Sequence, residues 1–363
     1  MIKGIRIGDK SCEYPIIQGG MGVGVSLHKL AGTVSREGGI GVLSAADIGY
    51  LEPDFETNPK EANMRAIKTE IEKARQIAGK DKIIAANIMV AMTDYADLVK
   101  EFVKQGIDLI ISGAGLPLNL PEFIEGSKTK IAPIVSSLRC CQLIVKTWRR
   151  KYNYIPDMIV IEGPKAGGHL GFKRDELFAE EGSKPELEKI TSEVVSYVRD
   201  LEKETGKEIP VIAAGGVWDG KDINKFMNLG ADGVQMATRF VATNECDASD
   251  AFKNAYVNAT EDDVQIIDSP VGMPGRAIRN EFIKQKEEKK LAITKCYQCI
   301  KTCNVKDAPY CITKALINAV KGNLDEGLIF CGSNVGRIKE IVPVHDLIQE
   351  LMAEYAALCV RSA

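Results

Sequence analysis

The chain alternates short, almost continuous apolar runs with longer stretches whose apolar residues recur at helical spacing. The runs are PIIQ (15–18), IGVLS (40–44), IIAANIM (83–89), LIIS (109–112), IAPIVS (131–136), MIVIEG (158–163), VIAAGG (211–216) and GVQMA (233–237). None shows the in/out alternation of a half-exposed strand, so each predicts a strand buried on both faces. Between them lie LHKLAGTVSREGG, MRAIKTEIEKARQIAG, YADLVKEFVKQG, CCQLIVKTWRRKY, LEKITSEVVSYVRDLEKETG and DINKFMNLG. Several of these helical patterns close on glycine, the preferred helix stop. Eight strand–helix units in roughly 250 residues predict a (β/α)8 TIM barrel, an α/β fold. A doubly wound open sheet is the alternative, with fewer strands and a glycine-rich turn after the first.

Two connections exceed minimal loops, 45–62 after the second strand and 170–186 after the sixth. In a barrel both lie on the C-terminal face, where long loops build sites. Beyond about residue 258 the rhythm stops. The expected organisation is a cofactor-binding barrel over 1–258 and a C-terminal extension over 259–363, packed on the barrel. The extension carries a cysteine cluster and ends in an amphipathic helix, HDLIQELMAEYAALCV.

Composition narrows the function classes. Hydrophobic residues make up 45% of the 363, ample for a large core, and the net charge is −3. That balance gives no general electrostatic reason to expect nucleic acid or an anionic membrane as partner. The polar start, MIKGIRIGDK, lacks the apolar stretch of a signal peptide, and no run approaches the ~18 apolar residues of a membrane span. The expectation is a cytoplasmic protein acting on a small molecule, with a homodimer as its expected assembly.

Glycine loops carry the candidate chemistry. In 209–240 one strand ends in Ala213-Ala214-Gly215-Gly216, and the next ends in Met236-Ala237-Thr238-Arg239. As strands seven and eight of a barrel, these would form its usual phosphate site, with free N–H groups and no Cβ in the way at Gly215 and Gly216. The first turn, Gln18-Gly19-Gly20-Met21-Gly22-Val23-Gly24, is also glycine-rich. The second strand ends IGVLSAA without the acidic residue of a dinucleotide fingerprint, so that reading is rejected. A backbone loop against a flat ring fits better. His169, one of only three histidines, sits between the pair Gly167-Gly168 and Gly171 in AGGHLG. An ordinary histidine titrates near neutrality and can exchange a proton with a substrate. The bland alternative is a surface histidine on a glycine turn. His28 and His345 read as solvated or capping residues.

IIQGGMG, AANIM, SGAG (112–115), EGPKAGGHLG (162–171), AAGGV and GVQMATRF occur in the order of the nitronate monooxygenase (2-nitropropane dioxygenase) family, which these motifs resemble over about residues 1–258. SPVGMPGRAIRN (269–280) is similar to the segment that follows the family's barrel. Enoyl-acyl carrier protein reductase II is a related enzyme. The resemblance implies noncovalent FMN. It implies Gly20 and Met21 against the isoalloxazine, Asn87 on its polar edge, and Glu162 and Lys165 beside the ring or ribityl chain. Gly167 and Gly168 would let the loop approach the flavin. Gly215, Gly216, Met236 and Thr238 would hold the phosphate, with Ala237 where relatives often carry glycine. His169 matches the catalytic histidine.

Cys296, Cys299, Cys303 and Cys311 form C-x2-C-x3-C-x7-C, a pattern that suits a [4Fe–4S] cluster or structural zinc. Reduced, partly buried thiols are the alternative. Cys331 is a candidate substitute ligand.

The leading function is oxidation of alkyl nitronates with O2. The alternative within the flavin class is an NAD(P)H-dependent reductase of an enoyl thioester or quinone. From another class, a flavin-free phosphate-binding barrel would be an isomerase or lyase.

Overall fold

The computed structural model describes residues 2–180, 182–289 and 291–361. Met1, Glu181, Lys290 and residues 362–363, which fall within the expected barrel and extension, lie outside the described residues.

All eight apolar runs are strands: β1 (Ile16–Gln18), β2 (Gly41–Ser44), β3 (Ile84–Met89), β4 (Leu109–Gly113), β5 (Lys130–Val135), β6 (Ile159–Glu162), β7 (Val211–Ala214) and β8 (Gly233–Met236). Every pairing is parallel, in the order β1-β8-β7-β6-β5-β4-β3-β2. Ile17 and Ile40 form a parallel bridge that closes β1 onto the start of β2. The sheet is therefore a barrel, and the open-sheet alternative falls. Ile17, Val42, Ala85, Ile111, Ala132, Val160 and Ile212 fill the interior as a packed core. Ile5 and Ile7, on either side of a short N-terminal hairpin's start, belong to the same cluster and cap it.

The six helical patterns form α1 (His28–Arg36), α2 (Pro59–Ala78), α3 (Tyr95–Lys104), α5 (Leu138–Tyr152), α6 (Leu187–Thr205) and α7 (Gly220–Asn228), and the short helix α4 (Leu120–Phe123) lies outside them. Their ends follow local chemistry. Pro59 opens α2, Ser137 accepts from Cys140 N to cap α5, and Asp219 accepts from Lys221 N and Asp222 N to cap α7. The start of α1 is different, because Leu27 offers no capping side chain. Asp247, from far along the chain, accepts from Leu27 N at 2.8 Å, Lys29 N at 3.2 Å and Leu30 N at 3.2 Å instead.

A repeated device pins the strand entries. Asp108, Asp157 and Asp232 each accept from an N–H in the first two residues of the strand before their own, Ile84, Ile131 and Val211, at 2.9 Å. Arg75, Lys207 and Arg199 neutralise them at 2.6, 2.9 and 2.6 Å. These pairs lie at the strand starts, opposite the face where the barrel's long loops gather, and serve stability.

Residues beyond 258 are woven into that upper face. A hairpin of Val264–Asp268 and Pro274–Ile278 pairs with Gly168–His169 to make a three-stranded sheet. The last helix, α8 (Val344–Arg361), packs along α7, where Glu354 accepts from Gly220 N at 2.8 Å. Among the described residues, no helix is long and apolar enough to cross a membrane.

Candidate functional site

The C-terminal ends of the strands open into one cavity of about 240 Å3. Its wall includes every cofactor residue expected from the sequence: Gly20, Met21, Asn87, Glu162, Lys165, Gly167, Gly168, Gly215, Gly216, Met236, Ala237 and Thr238. His169 lines it too. Residues from β1, β3, β6, β7 and β8 and their loops thus converge because a barrel brings all its strand ends to one rim.

The β7 loop is shaped for close approach. Gly215 and Gly216 have φ of +97° and +93°, a region L side chains rarely adopt. A Cβ on Gly215 would lie 2.9 Å from Gly163 O, and one on Gly216 2.9 Å from Lys165 Cβ. Above this turn lies a segment that sequence reasoning did not assign to the site, Phe330-Cys331-Gly332-Ser333-Asn334. Asn334 donates from Nδ2 to Gly216 O at 2.9 Å, Ser333 N donates to Lys165 O at 3.2 Å, and Gly332 N donates to Thr238 Oγ1 at 3.2 Å. The only local signal was a Gly-Ser-Asn triplet, too common to single out. Gln235, Trp218 and Tyr256 also line the cavity. Trp218 is held between Arg239, 5.2 Å from its ring centre, and Arg337, at 4.5 Å.

Two buried oxygens in this wall, Gln235 Oε1 and Ser333 Oγ, have no hydrogen-bond partner. Buried polar atoms are rarely left so, and both face a cavity where a polar ligand would satisfy them. The orphaned oxygens, the positive-φ turn free of side chains and the flat glycine-lined wall at Gly19-Gly20 together fit a ligand with a planar ring and a phosphate. FMN is such a ligand.

His169 stands on its own short strand, held to Gly275. Its Nε2 is 2.7 Å from Ser269 Oγ, and its ring meets Phe330 edge-on at 4.9 Å. Burial pushes its pKa down to about 4, so the imidazole is neutral at cellular pH. This corrects the expectation of near-neutral titration, because the loop that brings the histidine inward also strips its water. Glu162 moves the opposite way: burial raises its carboxyl to about 7, against the pull of Gly171 N, which donates to Oε2 at 3.2 Å, and of the Arg276 guanidinium.

Three other expectations need comment. His28 is not simply solvated: it is half-buried, and its Nδ1 lies 2.8 Å from Glu70 Oε2, which also accepts from His28 N. His345 is exposed near the start of α8 and pairs with Glu37 at 2.7 Å. Cys331 is no substitute ligand for the cysteine cluster. It is buried in the wall of the strand-end cavity, whereas Cys296, Cys299, Cys303 and Cys311 line a second cavity.

Comparison with known proteins agrees with this geometry. The profile of the family described as Nitronate monooxygenase matches residues 6–354. A protein of Staphylococcus saprophyticus named "Probable nitronate monooxygenase" is 30% identical over 297 residues, covering 76% of this chain and 78% of that protein. The solved structure of FabK from Thermotoga maritima superposes with a TM-score of 0.71 at 25% identity, covering 96% of this chain and 95% of that one. Nitroalkane oxidase from Streptomyces ansochromogenes has a TM-score of 0.72 at 19% identity, covering 97% and 98%, a likeness of fold. With the barrel, the strand-end cavity and the order of its glycine loops, the match across nearly the whole length means that this chain belongs to the nitronate monooxygenase family, FMN-dependent oxidoreductases.

Proposed function

We propose that the chain oxidises alkyl nitronates with O2, using FMN held in the strand-end cavity. The observation that carries the reading is the placement of a neutral His169 and the lysine of Lys165 on the wall that also holds the glycine cradle. When bound, FMN supplies the redox chemistry, accepting electrons from the anionic substrate and delivering them to oxygen. The chain supplies the rest. Gly215, Gly216, Thr238 and the Gly332–Asn334 segment would hold the phosphate, Gly20 and Met21 would back the ring, and Asn87 and Gln235 would meet its polar edges. Lys165 brings positive charge to the anions gathered there. His169, fixed by Ser269, presents a neutral ring that donates or accepts one hydrogen bond.

That neutrality shapes substrate choice. A histidine whose pKa lies near 4 is a weak base for the α-proton of a neutral nitroalkane. Substrate that arrives already as the nitronate needs no such base. The chain is expected to turn over propyl-2-nitronate far better than 2-nitropropane.

A second reading, NAD(P)H-dependent reduction of an enoyl thioester, draws support from the FabK likeness over 96% of this chain. One experiment separates them. The purified protein is supplied with FMN, and its flavin absorbance is followed under anaerobic conditions with propyl-2-nitronate or with NADH and NADPH. Bleaching by the nitronate, with oxygen uptake and nitrite release in air, is the expected result. Bleaching by NAD(P)H alone would overturn nitronate oxidation in favour of the reductase. No flavin absorbance after added FMN would sink both.

A further inference from the structure

We propose that Cys296, Cys299, Cys303 and Cys311 bind an iron–sulfur cluster of the [4Fe–4S] class, at a site separate from the flavin cavity. All four side chains line one cavity of about 370 Å3. All four are free thiols. The rest of that wall is largely apolar, with Ile293, Ile300, Val305 and Ile312 among its residues. Cys296 is exposed and the other three are half-buried, so the cavity is open to solvent on one side, while its apolar lining suits a cluster whose ligands are all sulfur.

The short C-x2-C-x3-C-x7-C spacing favours a cluster over a pair of zinc knuckles. A tetrahedral zinc draws its four sulfurs to about 2.3 Å from one point. Among the described residues, no three Cys, His, Asp or Glu side chains are already gathered as a metal site, so the thiols would close in as either group binds.

The backbone adds two observations. Gln298, between the first two cysteines, takes φ of +53°, and its N–H donates to Cys296 Sγ at 3.4 Å. Such N–H···S bonds stabilise a cluster's sulfur ligands. Cys311 caps the ten-residue helix Ile312–Lys321, placing its sulfur at the positive end of the helix dipole. Lys301 lines the cavity as well. The nearby carboxylates are already engaged, Asp47 by Thr313 at 2.7 Å and Glu56 by Lys295 and Tyr297.

The cysteine segment is stitched to the barrel. Thr93 N donates to Cys299 O and Lys301 N to Ala91 O, both at 3.0 Å, in the loop that follows β3. That strand carries Asn87 and Met89 into the flavin cavity. The cluster would therefore clasp residues 296–311 to the loop behind the ring. In binding, four thiols release four protons, and four iron–sulfur bonds form to a preassembled cluster of four irons and four sulfides. No electron is transferred in that step.

The test is anaerobic reconstitution of the full chain with equal amounts of ferrous and ferric iron, which match the two valences of the oxidised cluster, plus sulfide and FMN, then iron, sulfide, zinc and flavin analysis. Expected are about four irons and four acid-labile sulfides per chain, and a paramagnetic signal on reduction with dithionite. Cys299→Ser and Cys311→Ser should each lose the iron while keeping bound FMN. Should those variants fail to fold, alkylation of the wild-type protein decides. Reconstitution should protect the four cysteines and leave exposed Cys359 reactive. About one zinc per chain with no iron, or alkylation unchanged by reconstitution, would overturn the proposal.

Discussion

Replacing Gly216 with alanine should weaken FMN binding while leaving riboflavin binding nearly unchanged. Gly216 has φ of +93°, and its new Cβ would lie 2.9 Å from Lys165 Cβ and 3.1 Å from Lys165 Cδ. A non-glycine residue held in so sparsely populated a region carries about 1–3 kcal/mol of strain. The turn can relax only by rotating its N–H groups out of the cradle or by pushing back the Lys165 stem. Either route takes donors from the phosphate, so most of the strain should appear as lost affinity. That corresponds to a dissociation constant raised roughly five- to 150-fold. The assay is quenching of flavin fluorescence on titrating flavin-depleted protein. Riboflavin lacks the phosphate and so reports on the ring site alone. Gly79→Ala is the control, because Gly79 has φ of +86° at the end of α2 with nothing within 4 Å. It should lower stability and leave FMN affinity intact. Equal losses for FMN and riboflavin in Gly216→Ala, or no loss for either, would refute the placement of the phosphate.

Three further outcomes follow from the same structure. Glu162, raised from 4.5 to about 7, stays protonated when folded but ionises from 4.5 when unfolded, so its burial weakens the fold as pH rises through 7, by about 3 kcal/mol in full. Glu162→Gln should therefore gain roughly 2–3 kcal/mol over wild type between pH 5 and pH 8 in urea unfolding, and a constant gap between the two proteins would contradict the argument. Ser269→Ala frees the ring it fixes at 2.7 Å and should reduce kcat/KM several-fold, about 1 kcal/mol, mostly through kcat, with activity recovered in Ser269→Thr. Asp247→Ala removes the carboxylate that caps α1 through three N–H groups and should cost about 1–2 kcal/mol in thermal unfolding, with Asp247→Asn costing less. An unchanged melting temperature would show that water replaces the cap.

The eight strands were legible along the chain because buried parallel strands are short apolar runs, and nothing else in the chain repeats in that way. The glycine turns after β1 and β7 were equally visible, since only glycine suits φ near +95° at Gly215 and Gly216. Family order then assigned Asn87, Glu162 and His169 to the cavity, where they lie. The state of those groups was not legible. His169 sits in a loop sequence that reads as solvent-exposed, yet pairing with Gly275 carries it inward beneath Phe330 and shifts its pKa to about 4. Glu162 shifts upward through the same loss of water.

What the chain alone determined was therefore local: periodicity, turn chemistry and the identity of the residues at each strand end. These depend on neighbours within a few positions. Tertiary structure alone decided that Phe330 to Asn334 close over the Gly215–Gly216 turn, that Asp247 caps a helix 220 residues before it, and that the four thiols line one cavity while Cys331 lines another. Contacts between distant segments leave no period in a sequence, because no local conformational preference is satisfied by making them.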